Sequence, residues 1–384
     1  MRRRVLALAK ALPKTELHLH LDGSLSTSFI AQSAAKRGIE LPCRPQRLRN
    51  HLHQHKVAAR RSPSGGAQRP GGNWGVFDFC NRFLQSEEEL REASREIAMR
   101  CASENVWIVE LRFCPALHTL EGLTERQAVT AVCAGLSDAL ADAPGLRAAG
   151  AILCALRSMP AAHGVATVDL ATQCRSAGQR VLGVDIAGDE GAFPLALHAP
   201  ALARAREVKL PLTVHAGEWP HPQYPSILEN VALALAYGAR RIGHGVALAH
   251  PDARELLQRV AGASNAAGPT TVEICMTSNV GSERFAPARF ETHPVRTLVD
   301  HGVSVAISSD NLLLSGREQL VAAPSLELAR LIDLVGFSAK EVRDVLVSGA
   351  RASFCPGAAD VAAAFALEVD RVLADPSLSL TRLS

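Results

Sequence analysis

The sequence predicts an α/β fold: a (β/α)8 TIM barrel with additional C-terminal helices and a long insertion after the first βα unit. Three observations carry that expectation. Strand-like and helix-like segments alternate eight times along the 384 residues, which requires parallel strands joined by helical crossovers. No G-x-G-x-x-G follows a strand, so the competing doubly wound open sheet lacks its phosphate-binding turn. Finally, the residues able to do chemistry fall at the C-terminal ends of strands, the face on which such barrels hold their reactive groups. The expectation is one domain over residues 1–384, with residues 41–76 a basic flexible insertion within it.

Taken in order, Met1 to Lys10 has a basic head and a short apolar run broken by Lys10. It reads as an opening helix rather than a signal peptide, although the Arg-rich start leaves an organellar address open. Residues 15–24, Thr-Glu-Leu-His-Leu-His-Leu-Asp-Gly-Ser, alternate apolar and polar and end at Asp-Gly, as a short strand does. Side chains two apart on a strand share a face, so His18 and His20 project together while Leu17, Leu19 and Leu21 pack on the other side. Residues 27–37 read as a helix closed by Gly38.

From Leu41 to Val76 the chain has many Arg, Lys and His residues and no Asp or Glu, and its second half is rich in Gly and Pro. This reads as a mobile surface loop with a short helix over residues 44–55. His51, His53 and His55 alternate, but on so basic a stretch they read as solvated histidines. The alternation then becomes regular. Strands are expected at 106–113, 147–156, 181–187, 210–215, 241–244, 271–275 and 303–308. Helices are expected at 87–105, 124–141, 164–177, 195–207, 226–237, 251–260 and 295–301, and three more follow at 325–334, 339–350 and 358–374.

Composition narrows the function. A 47% apolar, 21% charged chain is that of a globular protein with a large core. A formal charge of +3 is too small to imply a nucleic-acid partner, and no apolar run reaches membrane-spanning length. The nine cysteines are scattered and never in C-x-x-C spacing, which suits a reduced, cytoplasmic protein with buried thiols.

Reading the strand ends gathers a short set of residues. The first offers His18, His20 and Asp22; the fourth runs Asp185 to Glu190; the fifth ends His215-Ala216-Gly217-Glu218; the sixth ends His244; the eighth ends Asp310-Asn311. Three neutral imidazoles and one carboxylate, His18, His20, His215 and Asp310, make a plausible zinc shell with room for a water. Glu218 and His244 remain at the same rim as acid and base candidates.

On residues 13–24, 184–190, 213–218, 241–245 and 308–311, the sequence resembles the adenosine deaminase family of metal-dependent barrels. The resemblance implies that His18, His20, His215 and Asp310 bind one Zn2+ per subunit. It implies that Glu218 protonates purine N1 and that His244 orients and helps deprotonate the attacking water. It further implies that Gly188 meets N3 through its backbone and that Asp22 meets the ribose 5′-hydroxyl. Asn311 stands where many relatives have a second Asp contacting N7; its amide can donate there without a proton of its own. The expected reaction is hydrolytic deamination of adenosine, and of 2′-deoxyadenosine, to inosine and ammonia. Adenine, N6-substituted AMP and aminodeoxyfutalosine are the alternative substrates, and a non-catalytic binding protein is the remote alternative. The other zinc deaminase class needs P-C-x-x-C, which this sequence lacks.

Overall fold

In the computed structural model, which describes residues 2–60, 75–218, 227–265, 268–281, 289–317 and 320–378, eight parallel strands follow one another around a barrel. They are β1 (Lys14–His20), β2 (Val106–Phe113), β3 (Ala148–Leu156) and β4 (Val181–Ala187), then β5 (Leu212–Ala216), β6 (Arg241–His244), β7 (Thr271–Ile274) and β8 (Ser304–Ile307). Each pairs with its predecessor in the chain. The ring closes just beyond β8, where Asp310 bridges back to β1. The Asp310 N–H donates to the His18 carbonyl at 2.9 Å, and the His20 N–H donates to the Asp310 carbonyl at 2.8 Å.

Helices fill the crossovers. α1 (Arg3–Ala11) precedes β1, and α2 (Thr27–Arg37), α3 (Pro45–Arg60), α4 (Gly75–Asn81) and α5 (Glu87–Ser103) separate β1 from β2. After β2 to β6 come α6 (Glu125–Asp142), α7 (Ala161–Ser176), α8 (Ala199–Glu207), α9 (Leu228–Ala236) and α10 (Arg254–Gly262). α11 (Met276–Gly281) and α12 (Val295–Asp300) follow β7, and α13 (Pro324–Asp333), α14 (Ala339–Ala352) and α15 (Ala358–Leu373) follow β8. α14 packs on β8 and β1 and so takes the eighth helical position. Among the described residues, no helix is long and apolar enough to cross a membrane.

Local chemistry explains the boundaries. Ser26 caps α2 by accepting from the Phe29 N–H, and Gly38 ends it in the left-handed region at φ 63°. Thr124 with Gln127, and Ser338 with Glu341, form capping boxes at α6 and α14. Lys14, buried at the foot of β1, donates to the Ala9 and Leu12 carbonyls at 2.7 and 2.6 Å, satisfying the end of α1.

The barrel interior carries charge. Glu110, Arg112, Asp185, Arg241 and Glu273 are all fully buried. Arg112 bridges Asp185 at 2.7 Å and Glu273 at 2.9 Å, while Arg241 bridges Glu273 at 2.6 Å and Glu110 at 2.7 Å. Each charge meets an opposite one, as burial requires.

The insertion differs from expectation. The helix expected at 44–55 runs Pro45–Arg60, and its Leu48 and Leu52, four apart on one face, are buried. His53, read from sequence as solvated, is 2% exposed and hydrogen-bonds the Leu313 carbonyl at 3.0 Å. Arg49 donates to the Leu312 carbonyl at 2.6 Å. Arg47 and His55 of this helix are exposed, and the basic composition of the stretch hid an apolar stripe that docks beside the end of the β8 segment. The Gly- and Pro-rich part of the insertion, 61–74, lies outside the described residues.

α5 and α6 cross where Gly135 faces α5: a Cβ there would stand 2.1 Å from the Arg91 carbonyl oxygen. Gly135→Ala must push the helices apart, and is expected to lower stability by about 1–3 kcal/mol in urea unfolding.

Candidate metal and active site

Four strand ends bring the sequence-selected residues to one face of the barrel. His18 and His20 come from β1, His215 from β5, and His244 from β6; Asp310 follows β8. Ligand atoms of His18, His20 and His215 lie within 4.8 Å of one another, and so do those of His18, His244 and Asp310. His244 and Asp310 hold left-handed backbone, at φ 65° and 62°. For a residue with a Cβ that costs roughly 1–2 kcal/mol, a strain accepted at strand ends that carry functional groups.

Carboxylates behind the rings set their protonation. His18 Nδ1 lies 2.7 Å from Glu273 Oε2, and His215 Nδ1 lies 2.9 Å from Asp185 Oδ2. Carboxylates only accept, so both rings carry their proton on Nδ1 and turn the Nε2 lone pair into the site. Among the described residues, His18 Nε2 is buried with no hydrogen-bond partner. His215 Nε2 lies 3.2 Å from His20 Nε2. Asp310 Oδ1 stands 3.7 Å from His18 Nε2 and 3.5 Å from His20 Nε2. Nitrogens and a carboxylate this close together fit a cation among them.

Burial keeps His18 and His20 neutral, the form that binds metal. Desolvation, aided for His18 by the nearby Arg112 charge, holds His18 well below the ordinary histidine range and His20 down to about 3. Asp310 is also held below the ordinary aspartate range, which leaves it a carboxylate: against desolvation, neighbouring His20 and His244 and a Ser278 hydrogen bond pull its pKa down.

Around this cluster the remaining candidates take their places. Glu218 Oε2 lies 3.4 Å from His244 Nε2. Asp22, in the turn after β1, accepts from the Gly23 N–H at 2.9 Å and from Asn81 of α4 at 3.4 Å; burial raises its pKa to about 6. Gly188, at the end of β4, adopts φ 104°, and a Cβ there would lie 3.4 Å from the Arg157 backbone nitrogen. Asn311 is buried beside Gly23, and its amide nitrogen lies 3.4 Å from Ser315 Oγ.

Several residues that hold the site were not selected from sequence. Arg157 is buried and donates to the His215 carbonyl at 2.6 Å and the Phe193 carbonyl at 3.0 Å, linking the ends of β3 and β5. Glu190 accepts from the Glu218 and Gly217 N–H groups and from Asn230, fixing the loop that carries Glu218. Asp185 and Glu190 lie in the fourth strand-end stretch above, and Glu273 on the strand expected at 271–275. Their signal was charge on strands that are otherwise apolar, but pattern alone does not pair them.

A family model described as Adenosine deaminase matches residues 13–372. The adenosine deaminase of Lacticaseibacillus casei (strain BL23) is 33% identical over 304 residues, 79% of this chain and 81% of that protein. Among solved structures, an amidohydrolase from Burkholderia ambifaria with bound Zn has a TM-score of 0.79 at 23% identity, covering 97% of this chain and 94% of that one. The adenine deaminase of Arthrobacter aurescens has a TM-score of 0.75 at 22% identity, covering 95% of this chain and 100% of that one. At such identities the structural likeness shows the fold.

The carboxylate behind His215 gives a direct test. Asp185→Asn keeps the shape but can leave the ring in the wrong tautomer, and should weaken metal binding roughly 10- to 100-fold in competition with a chelator. Unchanged affinity would show that this pair does not set the ring.

Proposed function

This chain belongs to the adenosine deaminase family, and from that premise we propose that it is a zinc-dependent hydrolase converting adenosine and 2′-deoxyadenosine to inosine and ammonia. The family makes it a hydrolytic aminohydrolase acting on adenine-type substrates. The observation that carries the finer reading is the gathering of His18, His20 and His215, with Asp310 3.7 and 3.5 Å from His18 and His20, beside Glu218 and His244.

His18, His20, His215 and Asp310 would hold one zinc ion per subunit, which when bound lowers the pKa of a water to about 7 and so supplies a nucleophile. The protein's own groups do the rest. Glu218, in its acid form, donates a proton to purine N1 and draws electrons from C6, the carbon that bears the amine. His244 and Asp310 flank the water and direct its oxygen at C6. The Gly188 backbone meets N3. Asp22, held by Gly23 and Asn81, receives the 5′-hydroxyl of the sugar, which favours a nucleoside. Asn311 donates its amide to N7.

The test is a spectrophotometric screen of the purified, zinc-loaded protein with adenosine, deoxyadenosine, adenine, AMP and aminodeoxyfutalosine. Adenosine should give the highest kcat/KM; a clear preference for the free base or a nucleotide would overturn the nucleoside reading. Glu218→Gln keeps the shape and loses the acid, so kcat should fall by roughly 10²- to 10⁴-fold with zinc content unchanged. His215→Ala should instead deplete zinc, and full occupancy by elemental analysis would remove His215 from the ligand set.

A further inference from the structure

Behind His244 runs a buried file of side chains with no part in the scheme above. Val295, at the start of α12, donates its backbone N–H to His293 Nδ1 at 3.1 Å. His293 Nε2 lies 3.3 Å from Asn279 Oδ1, and Asn279 Nδ2 lies 3.1 Å from His244 Nδ1. All three side chains are 1% exposed.

The file has a direction because it begins at a group that can only donate. His293 Nδ1 must accept from Val295, so its lone pair is used there. Desolvation holds His293 down to about 3, and the neutral ring therefore carries its single proton on Nε2. That N–H donates to the Asn279 carbonyl oxygen, which turns the amide NH2 group toward His244. His244 Nδ1 accepts from it. An imidazole whose Nδ1 accepts carries its proton on Nε2, the nitrogen facing Glu218 and the cluster of His18 and Asp310.

We infer that Asn279 and His293 are positioning residues that lock His244 as its Nε2–H tautomer, so that this ring meets the attacking oxygen as a hydrogen-bond donor and takes no proton from it. The inference rests on the deaminase reading above and refines it, because the resemblance to relatives implied that His244 helps deprotonate the water. A ring that already bears its proton on the facing nitrogen can orient the oxygen but cannot accept from it. The proton then goes to the carboxylate on the same rim. The water O–H bond breaks toward Asp310, the oxygen pair forms the bond to C6, and the C6=N1 pair takes the Glu218 proton.

Asparagine is the residue type this arrangement needs. It accepts at one end and donates at the other, so it passes the orientation of His293 on to His244. Aspartate has the same shape and only accepts, so Asn279→Asp should draw the His244 proton to Nδ1 and present a lone pair to the site.

Nitrogen NMR of ring-¹⁵N-histidine protein, with His244 assigned by its loss in His244→Gln, reads the tautomer directly. In the zinc-loaded wild type, Nδ1 should show the unprotonated, pyridine-type resonance and Nε2 the N–H type; the reverse assignment overturns the proposal. In Asn279→Asp the two should exchange, kcat should fall roughly a hundredfold, and KM and zinc content should stay within a fewfold of wild type. An exchanged tautomer with wild-type kcat also overturns it. A wild-type protein with the N–H on Nε2 but no activity on any 6-aminopurine would sink the deaminase reading and leave the tautomer assignment standing, so the two failures are distinguishable.

Discussion

The structure depends on carboxylates held behind imidazoles. Glu273 against His18, and Asp185 against His215, fix which ring nitrogen bears a proton and therefore which one can bind a cation. Those carboxylates sit where water does not reach, and a buried anion without a partner is costly. Arg112 and Arg241 answer that cost, and Glu110 in turn answers Arg241, through bonds from Ser353 and the Phe354 N–H that anchor it to the end of α14. The demand of two imidazoles at the mouth thus propagates to the wall of the barrel, and explains an interior built from ion pairs instead of aliphatic layers.

Much of the fold was legible because strand and helix periods differ. Strands 106–113, 181–187 and 241–244 and helix 27–37 fall at the bounds read from sequence. The elements that moved did so for local reasons. The helix expected at 195–207 opens as a 3-10 turn, Leu195–His198, before Pro200 allows the α-helix to start. The helix at 251–260 likewise opens as a 3-10 turn at Pro251. The small antiparallel pair Gly316–Arg317 with Leu320–Val321 was not foreseen, since two-residue strands carry no period.

The site was legible to the same degree and for the same reason. His18 and His20 stand two apart on a strand, His215 and His244 lie at the ends of theirs and Asp310 just follows one; that is a one-dimensional signal. Which charge faces which is a three-dimensional fact. Asn279, on α11, and His293, just before α12, lie 14 residues apart, and nothing in their spacing announces that they meet behind His244. His53 was misread because composition, dominated by Arg and His, outweighed two leucines at helical spacing.

The seam at Asp310 has a consequence for synthesis. The backbone that completes the ring also brings Asp310, residue 310, against His18 and His20, residues near the beginning. A ribosome must therefore release almost the whole catalytic chain before these donors can share an ion. Until then a nascent polypeptide holds its early histidines apart from Asp310, and on the proposed mechanism the donors that would activate water meet only in the finished ring. A chain that ends before Asp310 lacks one of the proposed donors, with no separate inhibitor required.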